Sequence, residues 1–153
     1  MFGKFKGQPR GVYVMFATEF WERFSYYGFM GIMVLFMVAD PIAGGLGYDR
    51  SRALFLFGLF TSFMWFMPLL GGWLADKWLG PRLAVLLGCI GLAAGNFLLA
   101  ASSFSAKGGR PEAAMGLFLI GILTMIAGAG MFKSNASALL GQLFGPNDVI
   151  TLN

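Results

Sequence analysis

The stretch that decides the fold reads GVYVMFATEFWERFSYYGFMGIMVLFMV and runs from Gly11 to Val38. It is apolar along most of its length, but Glu19, Glu22 and Arg23 lie near its middle. It is longer than the roughly 20 residues that a helix needs to cross the hydrocarbon core of a bilayer. Ionisable side chains at that depth are costly unless they face a partner or a cavity. The stretch therefore predicts a membrane helix that carries a functional site.

The composition of the whole chain is also that of a membrane protein. Of the 153 residues, 58% are hydrophobic and 12% are charged, and the mean hydropathy is +0.73. Soluble domains usually contain about 25% charged residues. Three further apolar stretches are long enough to span a bilayer, so we predict an all-α membrane protein with four transmembrane helices. The predicted helices cover residues 11–38, 53–75, 83–104 and 113–144.

Polar tails flank this predicted four-helix region, which extends over residues 11–144. Residues 1–10 form a predicted cytoplasmic tail, and residues 145–153 form a C-terminal tail. The connections between the apolar stretches contain glycine, proline and charged residues, which end helices. One of them is a predicted short loop from Asp76 to Arg82 that includes Pro81. Strands of a membrane barrel would alternate over about 10 residues, whereas these stretches are longer and apolar on nearly all sides. Helices therefore fit better than a barrel.

Basic residues give a slight preference for one orientation in the membrane. Five of them lie on one side and four on the other. The first group comprises Lys4, Lys6, Arg10, Lys77 and Arg82, and the second comprises Arg50, Arg52, Lys107 and Arg110. Because cytoplasmic segments carry the excess of basic residues, we expect a cytoplasmic N-terminus and a place in the plasma (inner) membrane. The lipid bilayer is the expected partner of these basic residues, and nucleic acid is not.

The sequence offers no chemistry for a cofactor, a metal or an enzyme. It contains no histidine, and its single cysteine, Cys89, lies in an apolar stretch. We find no convincing nucleophile with an adjacent base and no phosphate loop that ends in G-K-S or G-K-T. We therefore expect no cofactor, no metal site and no enzymatic activity.

The polar residues of the first helix share one face. At about 100° per residue, Glu19, Glu22, Arg23, Tyr26 and Tyr27 fall within an arc of roughly 140°. The arc lies too far from both helix ends for its charges to reach the membrane surface. The two tyrosines taken alone fit ordinary packing equally well. The charges must meet protein or water.

A further ionisable residue lies in the fourth helix, where Lys133 precedes Asn135 by two positions. With Glu19, Glu22 and Arg23 it gives zero formal charge, while each unpaired ion would cost about 2.5 to 3.5 kcal/mol at the bilayer centre. We therefore expect pairing between helices. If a glutamate takes up a proton, its cation is released to bind an anion, which is the basis of proton coupling. Alternatively, the charges only hold the helices in register, or Lys133 lies at the cytoplasmic end of its helix.

These residues resemble a known family. The segment EFWERFSYYG at residues 19–28, with PRGVY at residues 9–13, is similar to the helix-one signature of proton-dependent oligopeptide transporters. This family is a branch of the major facilitator superfamily. GGWLADKWLG at residues 71–80 resembles the superfamily's loop between helices two and three, and FKSN at residues 132–135 resembles the family's F-K-P-N. The resemblance covers nearly the whole chain and ends after Gln142.

The resemblance implies a symporter that imports di- and tripeptides with protons. The residues implied in proton coupling are Glu19, Glu22, Arg23 and Lys133. The residues implied in peptide binding are Arg23, Tyr26, Tyr27, Lys133 and Asn135, the two cations attracting the peptide carboxylate. An intracellular loop that stabilises one conformation would contain Gly72, Asp76, Lys77 and Arg82. A plain turn with basic residues would explain the same loop.

Three positions depart from the family pattern. Met30 stands where family members often have an arginine, Ser134 stands where they have a proline, and Trp65 stands where a tyrosine is common. The departures lie beside the implied site. They bear on which peptides the site would select.

The largest departure is length. Family members have about twelve or more helices in two halves and bind the substrate between them, so alternating access needs helices that are not encoded here. We therefore expect a truncated N-terminal part of a transporter, or one piece of a split transporter whose missing helices lie on another chain. Two other functions stay open. One is a self-assembling four-helix proton-coupled exporter, and the other is a non-transporting membrane subunit that binds another polypeptide.

Overall fold

The computed structural model describes residues 10–142, and all regular structure in that range is helical. The helices are α1 (Arg10–Val38), α2 (Arg50–Leu74), α3 (Gly80–Lys107) and α4 (Pro111–Gln142). The predicted all-α character is confirmed. Of the two predicted tails, all residues except Arg10 lie outside the described range, as do the last two residues of the predicted fourth helix.

Aspartates set the starts of the two helical segments that follow α1 directly. The Asp40 carboxylate accepts a hydrogen bond from the Ile42 N–H at 2.8 Å and begins a short 3₁₀ turn, Pro41–Ala43. The Asp49 carboxylate accepts one from the Arg52 N–H at 3.0 Å at the start of α2. Both carboxylates satisfy N–H groups that have no acceptor within the first turn of a helix.

A π-helical turn, Ala75–Leu79, joins α2 to α3. The sequence predicted a loop from Asp76 to Arg82, and this part of the prediction is wrong because the backbone stays helical there apart from one break. That break is Gly80, whose φ of 72° lies in the left-handed region that glycine adopts without steric cost. Helical residues therefore run without a loop over Arg50–Lys107.

Two helical stretches of the described chain are long and apolar enough to cross a membrane, Arg50–Lys107 and Pro111–Leu139. The helix α1 has 29 residues, but its charged residues reduce its hydropathy. Helix length and composition therefore identify fewer separate spans than the four that the sequence predicted. The directions of the helices add information that length does not.

The helices α3 and α4 are antiparallel. Near one end, Gly88 packs against Phe132, and near the other end the Ser102 hydroxyl donates a hydrogen bond to the Ala114 carbonyl at 2.6 Å. Residues later in α3 therefore contact residues earlier in α4. The chain must therefore reverse its direction between these two helices.

The helix α1 is also antiparallel to α4. Near the middle of α1 Glu22 meets Lys133, and near its end the ring centres of Phe36 and Phe118 lie 5.5 Å apart. The core of the bundle lies between α1, α2 and α4. Its buried members are Tyr26, Met33, Met37, Ala53, Phe60, Met64, Phe118, Ile122, Ile126 and Ala129.

Glycines let α2 and α3 approach the backbone of α4. A Cβ atom at Gly71 of α2 would collide with the Gly130 carbonyl, and one at Gly88 of α3 would lie 2.7 Å from the Phe132 nitrogen. On α2, Met67 packs against Gly130 and Gly72 lies beside Ser134, so α2 runs parallel to α4. Small residues at such crossings permit close packing in membranes.

Candidate functional site

The polar face of α1 divides into a buried part and an exposed part. Glu22 and Tyr26 are 8% and 9% exposed, whereas Glu19, Arg23 and Tyr27 are exposed. Glu22 and Tyr26 are four residues apart, so one lies above the other on the same side of the helix. The residues that the helical wheel groups together therefore have two different environments.

Lys133 of α4 meets α1 at the buried part of this face. Its Nζ lies 3.5 Å from Glu22 Oε1, and Arg23 Nε lies 4.0 Å from the other carboxylate oxygen. The same ammonium lies 4.3 Å from the centre of the Tyr26 ring, at a distance suited to a cation–π interaction. The structure thus brings Glu22, Tyr26 and Lys133 into one cluster.

Glu22 is the buried acid of this cluster, and its Oε1 receives no hydrogen bond within residues 10–142. The 3.5 Å separation from Lys133 Nζ is longer than the roughly 2.7 to 2.9 Å of a charge-assisted hydrogen bond. The oxygen therefore has room for a proton or for a closer approach of the ammonium. A proton on Glu22 would remove most of its attraction for Lys133 and leave that cation available to another anion.

A cavity of about 270 Å³ opens beside the ion pair, between α1, α2 and α4. Its lining residues are Glu19, Glu22, Arg23, Tyr26, Tyr27, Met64, Trp65, Pro68, Phe132, Lys133 and Ser134. The volume is close to the lower end, about 300 Å³, of typical small-molecule sites. Acids, cations and phenols on one wall can pair with both the charged and the amide groups of a small zwitterion.

Asn135 does not line this cavity. Its side chain is 2% exposed, and Nδ2 lies 2.8 Å from the Met131 carbonyl, 3.0 Å from Ser134 Oγ and 3.4 Å from the Gly71 carbonyl. The amide therefore faces α2. Its contact with a peptide remains a prediction, made from the resemblance alone.

The residues predicted to form a conformational loop lie around the junction of α2 and α3. They are Gly72, Asp76, Lys77 and Arg82. Gly72 belongs to α2 and packs against α4, whereas the three charged residues are exposed. The ammonium of Lys77 lies 5.1 Å from the Trp73 ring centre and 5.5 Å from that of Trp78. The sequence alone did not predict these contacts, although Trp73 precedes Lys77 by one helical turn.

A larger cavity of about 910 Å³ lies between α1 and α3, and we call it the α1–α3 groove. Its lining is mostly apolar and includes Trp21 of α1 and Cys89, Asn96 and Phe97 of α3. Both helices are apolar on several sides, so no periodicity in the sequence indicated the groove. Within the described range, no group of three or more His, Cys, Asp or Glu residues could hold a metal ion.

The sequence matches known transporters. Residues 82–150 match the model of the POT family, so the prediction that the resemblance ends after Gln142 is wrong. The chain is 38% identical over 144 residues to the peptide transporter YePEPT of Yersinia enterocolitica, which covers 94% of this chain and 27% of that protein. It is 37% identical over 141 residues to the dipeptide and tripeptide permease A of Klebsiella pneumoniae, with 92% and 25% covered.

The fold matches as well. A crystal structure of a mutant of peptide transporter POT in complex with alafosfalin has a TM-score of 0.80 and 35% identity, covering 94% of this chain and 28% of that one. The same mutant in complex with sulfate gives a TM-score of 0.81 and 34% identity, covering 94% and 27%. The chain spans about a quarter of the length of its curated relatives. The chain therefore belongs to the POT family, whose members are membrane transporters and not enzymes.

Proposed function

We propose that this chain forms the proton-coupling and carboxylate-binding side of an importer of di- and tripeptides. The ion pair between the buried Glu22 and the partly buried Lys133, which lies between α1 and α4 beside the 270 Å³ cavity, is the observation that supports this function best. The names of the two relatives, a peptide transporter and a dipeptide and tripeptide permease, support the substrate class. Because the chain spans about a quarter of their length, we assign complete transport to this chain together with further helices.

The proposed coupling is an exchange of charges. While Glu22 is ionised, it attracts Lys133. When Glu22 takes up a proton, the ammonium is free to attract the carboxylate of a peptide. The Tyr26 ring keeps this ammonium beside the cavity during the exchange, and the exposed Arg23 guanidinium supplies a second cation. Glu19 and Tyr27 would contribute a second acid and a contact for the peptide.

We also propose four membrane spans, over residues 11–38, 53–75, 83–104 and 113–144, with residues 1–10 in the cytoplasm. The alternating directions of α1 to α4 support this count, because each crossing of a bilayer reverses the chain. The apolar composition supports a place in the inner membrane. With this orientation, the junction of α2 and α3 lies on the cytoplasmic side, where its charged residues would stabilise one conformation of the transporter. Lys77 with its two tryptophans suits a membrane surface.

Further transmembrane helices of the same transporter are the proposed polypeptide partners. The α1–α3 groove supports this proposal, because it leaves apolar side chains of two helices uncovered. Phe97 is 77% exposed and Trp21 is 69% exposed along it. Helices packed there would also close one side of the Glu22 environment, since Glu22 borders the groove.

Binding of a dipeptide by the purified full chain tests the proposed site. We expect alanyl-alanine to bind to the chain in detergent, measured by calorimetry, and to bind more weakly in Lys133→Ala by about tenfold or more. A lost charge-assisted contact of about 1.5 to 3 kcal/mol corresponds to that factor. We expect binding to Glu22→Gln to depend less on pH than binding to the unmodified chain, because Glu19 is then the one acid left in the cavity lining among the described residues.

The control is Lys107→Ala, which removes an exposed lysine at the far end of α3 and should leave the affinity unchanged. Alanyl-alanine amide lacks the carboxylate. The affinity of the unmodified chain for this amide should be no higher than the affinity of Lys133→Ala for alanyl-alanine. Equal affinity of the unmodified chain and a folded Lys133→Ala variant would contradict the proposed site.

A further inference from the structure

The Asn135 amide is occupied within the protein. Its Nδ2 contacts the Met131 carbonyl and the Ser134 hydroxyl on α4, and it lies 3.4 Å from the Gly71 carbonyl on α2. The side chain is 2% exposed and does not border the 270 Å³ cavity. A molecule in that cavity would reach the amide only if α2 moved away. The position therefore argues against direct contact with a substrate.

Gly71 is able to accept this bond because of two local features of α2. The Ala75 N–H divides its hydrogen bond between the Gly71 and Gly72 carbonyls, where the helix widens into the π-helical turn. A shared bond leaves the Gly71 oxygen with acceptor capacity. Gly71 also has no Cβ, and one would collide with the Gly130 carbonyl. The contact between α2 and α4 is thus backbone against backbone, and the Asn135 amide bonds across it.

Lys133 and Asn135 lie two residues apart, which is about 200° around the helix. One side chain faces Glu22 on α1, and the other faces Gly71 on α2. Any slide or rotation of α4 against α2 would therefore also move the ammonium relative to Glu22. The pair is already at 3.5 Å, and a displacement of about 1 Å is enough to impair a site of this kind.

We propose that Asn135 is a positioning residue, which holds α4 in the register that keeps Lys133 at ion-pair distance from Glu22. Its hydrogen bond to Gly71 acts on the coupling pair without contact with the peptide. The consequence for transport depends on the function proposed above. The effect on the ion pair does not depend on it.

The titration of Glu22 reports on this positioning. The charged or titratable groups around it are Glu19, Arg23, Tyr26 and Tyr27 on α1, Lys133 on α4 and, across the α1–α3 groove, Cys89 on α3. The part of α2 that borders the cavity contributes Met64, Trp65 and Pro68, which do not titrate. Of these groups, Lys133 is the one whose position Asn135 controls directly.

The test measures the titration midpoint of the Glu22 carboxyl carbon by NMR on the full chain in micelles. Lys133→Ala gives the shift expected for complete loss of the pair. Asn135→Ser is the main variant, because its hydroxyl can still bond the Met131 carbonyl but is too short for Gly71. We expect Asn135→Ser and Asn135→Ala to give at least half of the Lys133→Ala shift.

The matched control is Thr124→Ala. Thr124 also donates to the carbonyl four residues earlier, Ile120, at 2.7 Å, but its hydroxyl makes no bond to another helix within residues 10–142. Its removal should leave the Glu22 titration unchanged. An unchanged Glu22 titration in folded Asn135→Ser would overturn the proposal, as would weaker dipeptide binding without any change in that titration. If neither Asn135 variant folds, the residue is a folding determinant and the proposal is rejected.

The measurement also separates this proposal from the proposed function. If the unmodified chain binds no dipeptide but Asn135→Ser shifts the Glu22 titration, the positioning role of Asn135 is supported and the proposed peptide site is rejected. If the dipeptide binds and the titration stays constant in Asn135→Ser, the peptide site stands and the positioning role fails.

Discussion

Glu22 is the residue whose charge holds both nearby cations, Arg23 and Lys133. It is buried, and among residues 10–142 its Oε1 receives no hydrogen bond and Lys133 is the cation nearest to it. Breaking such a pair by removing one partner leaves an uncompensated charge, whereas removing both partners leaves none. The stability of the chain should therefore respond differently to single and double substitutions.

Lys133→Met should destabilise the chain by about 3 kcal/mol, because Glu22 would remain buried without its cation. The double variant Glu22→Gln with Lys133→Met should recover most of that loss. Reversible unfolding in mixed micelles measures both values. Lys107→Met, at an exposed helix end, is the control and should change stability by less than about 1 kcal/mol. Equal losses in the single and the double variants would contradict a role of the pair in stability.

Charge balance in the sequence led to the expectation that an ion pair joins α1 and α4, but it did not identify the partners. Two acids and two cations were available. The structure pairs Lys133 with Glu22 and leaves Glu19 without an ion pair in the described residues. A helical wheel gives angles within one helix, and the choice of partner depends on where the second helix lies.

The helix α4 depends on glycines in its neighbours. In α3, a Cβ at Gly88 would lie 2.7 Å from the Phe132 nitrogen and 2.8 Å from the Gly128 carbonyl, both of them backbone atoms that cannot rotate away. In α4, a Cβ at Gly116 would have nothing within 4 Å. These two positions allow glycine's packing role to be separated from its effect on helix stability.

Gly88→Ala should destabilise the chain by about 1 to 3 kcal/mol, because the added methyl forces α3 away from α4. Gly116→Ala should be neutral or stabilising by up to about 1 kcal/mol, since alanine favours the helix. Thermal unfolding in detergent, followed by circular dichroism, compares the two. If both variants lose the same stability, close packing at Gly88 is not the cause.

The junction of α2 and α3 shows the limit of turn signals in a sequence. Asp76, Pro81 and Arg82 indicated a loop, because charges and proline usually end helices. In the structure proline lies in the first turn of α3, where its missing N–H costs nothing, and only Gly80 leaves the helical conformation. Gly80 therefore allows the chain to turn between α2 and α3 without a loop.

On the scale of the whole molecule, the α1–α3 groove of about 910 Å³ is a large apolar surface. It exposes large apolar side chains beside the coupling pair. A membrane protein can leave such a surface to lipid, or it can cover it with further helices. Phe97 and Phe104 distinguish these outcomes, because both lie on α3 and are 77% and 75% exposed, but Phe97 alone borders the groove.

Replacing Phe97 with p-benzoylphenylalanine should give a cross-link to helices of POT-family sequence in native membranes, identified by mass spectrometry. The same photoreactive residue at Phe104 is the control and should cross-link mainly to lipid. The proposed helical partner is contradicted if both positions cross-link to lipid alone. A cross-link from position 97 to a second copy of this chain would instead support self-assembly.

The sequence by itself determined that the chain is helical and apolar, that α1 carries a polar face, and that Lys133 needs an acid. These features depend on composition, on periodicity and on the cost of charge in lipid, all of which are local. Only the tertiary structure decided that Lys133 meets Glu22, that Asn135 faces Gly71 and that a groove separates α1 from α3. The physical reason is that backbone contacts at glycines set the rotation and the shift of one helix against another, and no single helix contains that information.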